Sequence, residues 1–220
     1  MDSNHGPSGL QPNALQTELL PHGFKIVEDF LSKDEERFLL EEIDNGVWEG
    51  DGDKIRRVQQ FGAKYDYKTH QIDREAKVPQ IPKFLQFVIK RLASFSSSEL
   101  QQVFVNEYVH HQGIGPHIDP IDSFGPEIFG ISLGSPTVLR FSREGFVSID
   151  VLLKPRSLLI MTEDSRYLWK HEIPYTKSVV GFPRRQKGFR RISLTFRGIV
   201  QPNEKNIITM TEISEAKKIQ

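Results

Sequence analysis

Between Gln102 and Tyr108 the chain alternates: Val103, Val105 and Glu107 fall on one face and Phe104, Asn106 and Tyr108 on the other. A period of two over seven residues predicts a strand. Comparable runs predict further strands at Glu127–Leu133, Thr137–Phe141, Phe146–Leu153, Ser157–Met161 and Arg191–Val200. Turns rich in Gly, Pro and charge separate them at 134–136, 143–145 and 154–156. Upstream, Phe24–Val27 reads as a short strand. Ser32 with Glu35 three residues on has the spacing of a capping box, and Phe38, Leu39 and Ile43 give the helix that follows an apolar face. A second helix is predicted to open at Pro82, with Phe84, Leu85, Val88, Ile89 and Leu92 at helical period. After both helices, 113–116 (Gly-Ile-Gly-Pro) reads as a turn following the first long strand. Two helices followed by many short strands predict a mainly β, α+β domain, a double-sheet core with helices on one side; a jelly roll is one such solution.

Length and composition narrow this picture. A chain of 220 residues fits one domain with tails. The expected division is a disordered tail at 1–20, a folded domain at 21–202 and a polar tail at 203–220. Charge is balanced, 29 basic against 29 acidic residues, so an anionic partner must be met by a local patch rather than a bulk field. There is no cysteine, which removes disulfides, thiolate nucleophiles and cysteine-held zinc together. No secretory leader and no membrane-spanning segment is expected. The expected setting is a monomer in the cytoplasm and/or nucleus.

The candidate chemistry begins with His117 and Asp119, two apart and therefore on one side of an extended chain. Alone, His-x-Asp is a common accident, a turn histidine beside a capping aspartate. His171 changes the odds, because two imidazoles and one carboxylate form the facial triad of non-haem Fe(II) oxygenases. Zinc hydrolases use the same ligand types, so the triad alone does not choose the metal. The last predicted strand places Arg191, Ser193, Thr195 and Arg197 on one face and Ile192, Leu194 and Phe196 on the other. Inward arginines require anions, and a dicarboxylate beside a metal is the simplest one; a surface strand edge would need none. Asn106 and Tyr108 share a strand face just before the metal pair and can donate hydrogen bonds to the same molecule. Basic residues interleave with aromatics in the run from Arg56 to Tyr67, which includes Arg57 and Lys64, and a basic loop holds Arg184, Arg185 and Lys187. Each is either an ordinary solvated segment or part of a phosphate-binding rim.

Asn106-x-Tyr108, His117-x-Asp119, His171 and the alternating strand from Arg191 to Arg197 resemble the AlkB family of Fe(II)/2-oxoglutarate dioxygenases. The resemblance covers roughly Phe24 to Val200. Over the longer runs His117–Ser135 and Leu153–Ile173 it is nearest to the AlkB homologues that hydroxylate a modified wobble uridine in tRNA. It implies a double-stranded β-helix (jelly-roll) core with two supporting N-terminal helices. It also implies iron on His117, Asp119 and His171, with 2-oxoglutarate among Asn106, Glu107, Tyr108, Arg191, Ser193 and Arg197. Arg191, helped by Tyr108, would grip the far carboxylate, with Asn106 and Arg197 near the iron end. It further implies hydroxylation or oxidative demethylation of a tRNA or other nucleic-acid base, with a protein partner for substrate delivery. A protein side chain, or an alkylated DNA or RNA base undergoing repair, is the alternative substrate. Relatives of that branch hold a structural zinc through a histidine just past the iron aspartate and through cysteines; here Ile121 stands in that place and cysteine is absent, so no zinc is expected.

Overall fold

In the computed structural model, residues 20–201 are described, apart from 53–55, 67–68, 70, 74, 111 and 177. The expected tails therefore lie outside the described residues, save for Leu20, as does Tyr67 at the end of the basic and aromatic run. Strand β1 (Phe24–Val27) leads to helix α1 (Lys33–Asp44), then the short strands β2 (Val58–Phe61), β3 (Lys64–Asp66) and β4 (Gln71–Asp73). A 3-10 turn at Lys83–Leu85 runs into helix α2 (Gln86–Leu92). The remaining strands are β5 (Gln102–Val109), β6 (Ile114–His117), β7 (Phe124–Gly134), β8 (Thr137–Ser142), β9 (Ile149–Leu153) and β10 (Leu158–Met161). Helix α3 (Glu163–Tyr167), β11 (Lys170–Ile173) and β12 (Arg190–Ile199) complete the order.

The strands form a six-stranded antiparallel sheet, β1-β10-β7-β12-β5-β2, and a four-stranded antiparallel sheet, β6-β11-β8-β9; β3 and β4 pair as a separate hairpin. Alternation decides what each face of the large sheet meets. Val103 and Val105 of β5, Phe129 and Ile131 of β7 and Ile192, Leu194 and Phe196 of β12 pack with Leu39 and Ile43 of α1 and Val88 and Leu92 of α2. The opposite face contributes Tyr108, Ile128, Leu159 and Met161 to a second core with Leu139, Phe141, Leu153 and Ile173 of the small sheet. Each fully buried side chain of this size adds roughly 1.5–3 kcal/mol of transfer free energy, so a one-residue slip of β12 would forfeit several such terms at once. Two apposed antiparallel sheets with few helices make the jelly-roll arrangement the alternation points to.

The elements match the expectation in outline and differ in particulars. The Ser32 hydroxyl accepts from the Glu35 amide and the Glu35 carboxylate accepts from the Ser32 amide, so the capping box is complete. Pro82 caps the 3-10 turn, and regular α-helix starts only at Gln86. A third helix, α3, was not expected. The segment read as a turn at 113–116 is instead the strand β6, whose partner β11 was also not read as a strand. β6 is an edge strand, where Pro116, lacking an amide hydrogen, breaks no ladder. Phe146 and Val147 are exposed in the turn before β9, which begins at Ile149 rather than Phe146. Gly134, at φ +78, closes the β7–β8 turn; a Cβ there would sit 2.6 Å from the Arg190 carbonyl oxygen.

Candidate active site

The face of the large sheet that looks toward the small one carries three polar rungs across β7, β12 and β5. Strand register sets Ser132, Ser193 and Asn106 side by side, then Gly134, Arg191 and Tyr108, then Ile128, Arg197 and Gln102. Ser132 was missed in the sequence, although β7 presents only the small residues Gly130, Ser132 and Gly134 on this face toward its end.

Across from these rungs lie the metal-ligand candidates. His117 and His171 are direct partners in the β6–β11 pairing, with ring centroids 4.4 Å apart. Asp119 follows in the loop after β6. The ligand atoms of His117, Asp119 and His171 all fall within 4.8 Å of one another, and Nε2 of His117 is 3.9 Å from Oδ1 of Asp119. The Gly115 carbonyl lies 2.8 Å from His117 Nδ1; with the proton on Nδ1 this bond fixes the ring and leaves Nε2 as the ligand atom. Burial pushes the Asp119 carboxyl up, but Arg197, His171, Arg166 and His117 outweigh it and hold it at about 2. Burial pushes the His171 imidazole down to about 3, against the pull of Asp119. Two neutral imidazole nitrogens and an ionised carboxylate are the donor set a divalent iron takes, so the residues present fit the metal.

The arginines complete the site. Arg197 donates to Asp119 Oδ1 at 3.0 Å and to Gln102 Oε1 at 3.1 Å, while its Nε is buried with no hydrogen-bond partner among the described residues. Arg191 is 2% exposed and donates to the hydroxyls of Ser132 (2.9 Å) and Ser193 (3.3 Å), with its guanidinium 5.3 Å from the Tyr108 ring centroid. Among the described residues it forms no salt bridge, and burial lowers its pKa to about 10. A buried guanidinium bonded to two hydroxyls and, among the described residues, to no carboxylate suits an anionic ligand.

Other expected site residues are placed differently. Glu107 points to the helix side of β5, where Arg57 binds both of its oxygens at 2.6 and 2.8 Å and Arg190 donates to it at 2.7 Å. It is therefore a structural anion and not a co-substrate contact, because alternation turns it away from Asn106 and Tyr108. Arg57, committed to Glu107 and stacked 4.7 Å from the Trp48 ring centroid, leaves the expected phosphate rim for the same reason. Arg185 donates to the carbonyls of His110, Gln112 and Pro174 and to Thr137, which makes it a loop clamp. Arg184 and Lys187 are exposed and line an open cavity of about 460 Å³ with His110 and Gln186. Lys64 is half-buried at the start of β3. Arg56, expected on the rim, donates to Asn106 Oδ1 at 2.9 Å and sits 5.9 Å from the Tyr108 ring centroid, so it borders the polar rungs themselves.

A family model described as the 2OG-Fe(II) oxygenase superfamily matches residues 51–197. The chain belongs to that superfamily. Within it the relatives include AlkB homologues. This oxygenase is 34% identical over 174 residues to "tRNA (carboxymethyluridine(34)-5-O)-methyltransferase ALKBH8" of Macaca fascicularis, a match that takes in 74% of this chain and 26% of that protein. The chain thus spans about a quarter of that relative's length. It is 32% identical to "Uncharacterized protein L905" of Acanthamoeba polyphaga mimivirus, over 84% of this chain and 89% of that one. Among solved structures, OsALKBH1 superposes with a TM-score of 0.59 at 17% identity, covering 81% of this oxygenase and 99% of that chain, a likeness of fold. The matched segment is a 2OG-Fe(II) oxygenase domain, and His117, Asp119 and His171 form its possible iron site.

Proposed function

We propose that this oxygenase hydroxylates a nucleic-acid base, and that its substrate is a modified uridine at the wobble position of tRNA. Iron and 2-oxoglutarate, when bound, supply the oxidation: a substrate C–H bond, dioxygen and 2-oxoglutarate give C–OH, succinate and carbon dioxide. The chain's own residues supply binding and orientation. His117, Asp119 and His171 would hold the metal. The observation that carries the co-substrate assignment is Arg191, a buried cation beside Ser132, Ser193 and Tyr108 that lacks an anionic partner among the described residues. Arg191 would hold the far carboxylate in two parallel hydrogen bonds. The unpartnered Nε of Arg197 and the side chain of Asn106 would serve the end nearer the iron. Arg197 also keeps Asp119 ionised and oriented, as a metal ligand must be.

The choice of wobble uridine rests on the relatives. The macaque protein is named as a methyltransferase of carboxymethyluridine at tRNA position 34, and this chain matches that protein over a segment of 174 residues. Arg184 and Lys187, exposed beside the 460 Å³ cavity, can meet phosphates whatever the base. The test is mass spectrometry of nucleosides from total tRNA incubated with the purified protein, Fe(II) and 2-oxoglutarate. Gain of one oxygen on a wobble-uridine nucleoside is the expected result. Unchanged tRNA alongside an oxidised peptide, or formaldehyde release from alkylated DNA, would move the substrate to another class.

A further inference from the structure

His117 and His171 are fixed to each other by β-pairing, but Asp119 is not. β6 ends at His117, β7 begins at Phe124, and the intervening residues belong to no strand. Something other than a ladder must hold the third ligand in place. Arg166 occupies that position. It is 2% exposed, the largest fully buried side chain among the described residues. Nη1 donates to the Asp119 carbonyl at 2.6 Å, Nη2 to those of Pro120 and Phe124 at 3.3 and 3.1 Å, and Nε to that of Gly125 at 3.1 Å. Few groups other than guanidinium present donors on three nitrogens in a rigid plane to several carbonyls at once. Arg166 lies on α3, which Thr162 and Ser165 cap through reciprocal hydrogen bonds and which runs directly into β11. The segment that delivers His171 thus also grips the backbone of Asp119.

We infer that Arg166 is a positioning residue for the metal site: a cross-brace from α3 to the Asp119 loop that sets the carboxylate against the two paired histidines. Asp119 is then held twice, by Arg166 at its carbonyl and by Arg197 at its carboxylate. The cation also acts through space, since Arg166 is among the charges that keep the Asp119 carboxyl low. A ligand held this way gives up little further freedom on binding metal, and loss of such supporting contacts typically weakens metal affinity by roughly 10- to 100-fold.

This inference rests on the iron-site reading and is tested without turnover. Mn(II) is titrated into the full chain and its unbound ion read by electron paramagnetic resonance, for wild type, Arg166→Lys, Arg166→Met and Arg185→Met. Arg185 is the control, because it clamps carbonyls of other loops in the same manner. Thermal melts are recorded alongside. Wild type is expected to bind one Mn(II), both Arg166 variants to bind it about 10- to 100-fold more weakly while still melting cooperatively, and Arg185→Met to stay near wild type. Wild-type affinity in the Arg166 variants, or an equal loss in Arg185→Met, overturns the inference and leaves the iron site intact. If neither Arg166 variant melts cooperatively while Arg185→Met does, the residue determines the fold, and its assignment as a positioning residue is overturned. A wild type that binds no Mn(II) refutes the iron-site reading itself.

Discussion

A guanidinium shut away from water normally meets a carboxylate, whereas Arg191 meets two serine hydroxyls and a tyrosine ring. Holding it charged with its pKa pulled from 12.5 to about 10 costs on the order of 3 kcal/mol in the absence of a ligand. Arg191→Met should therefore leave the unfolding midpoint of the ligand-free protein unchanged or raise it, since removing an uncompensated buried charge is neutral to stabilising. The same substitution should raise the KM for 2-oxoglutarate by about two orders of magnitude. A midpoint that drops steeply with KM unchanged would assign Arg191 to packing. His171 gives a second prediction. Its pKa falls from 6.5 to about 3 on folding, so between those values the unfolded chain binds more protons than the folded one. Its contribution is fully present above pH 6.5 and lost as pH falls, at most about 1.4 kcal/mol per pH unit. Asp119, lowered from 3.8 to about 2, has the same sign in a lower window. Denaturant unfolding of the metal-free protein between about pH 4.5 and 6.5, inside the His171 window, should show a stability slope that His171→Gln makes shallower. An unaltered slope would contradict the burial assigned to this imidazole.

At the scale of elements, β5 and β12 each divide their side chains between two jobs. Val103, Val105, Ile192, Leu194 and Phe196 face the helices, and Asn106, Tyr108, Arg191, Ser193 and Arg197 face the site. Glu107 lies on the helix side, bonded to Arg57 and Arg190, and Arg190 also pairs with Asp44 at the end of α1. Glu107→Gln should lower stability on the order of 2 kcal/mol, less than for a fully buried pair because both arginines reach solvent. The KM for 2-oxoglutarate should stay within about threefold, since no co-substrate contact is lost; a large rise in KM would return Glu107 to the site. These two strands were legible from period-two alternation, and with them the inward arginines. β6 and β11 were not, because Gly113, Gly115 and Pro116 carry a turn signal that long-range pairing overrides, and because four residues from Lys170 to Ile173 are too few to show a period. The triad was legible as residue types and spacing, and pairing of those two strands turned it into a geometry. Arg166 was not legible as a brace, because nothing in its local sequence records that its charge would be buried against four carbonyls. The basic rim was only partly legible: composition finds cations, but Arg57 and Arg185 are spent on internal partners that distant segments bring to them.

For the whole molecule, the layers explain the division of labour. Helices α1 and α2 back the large sheet, the small sheet carries both histidines, and the space between sheets holds the polar rungs. That backing holds three strands in register, and under the proposed function their inward residues would meet one small dicarboxylate. Balanced net charge fits a protein that recognises its substrate locally, with Arg184 and Lys187 presented on an exposed loop. The central claim is that this layered scaffold couples oxidation of 2-oxoglutarate to its metal triad, and succinate formation tests it most directly. Purified protein with Fe(II), 2-oxoglutarate, dioxygen and total tRNA should release succinate, and His117→Ala or Asp119→Ala should abolish the release. No succinate from the wild type under those conditions, or equal release from His117→Ala, would contradict the account.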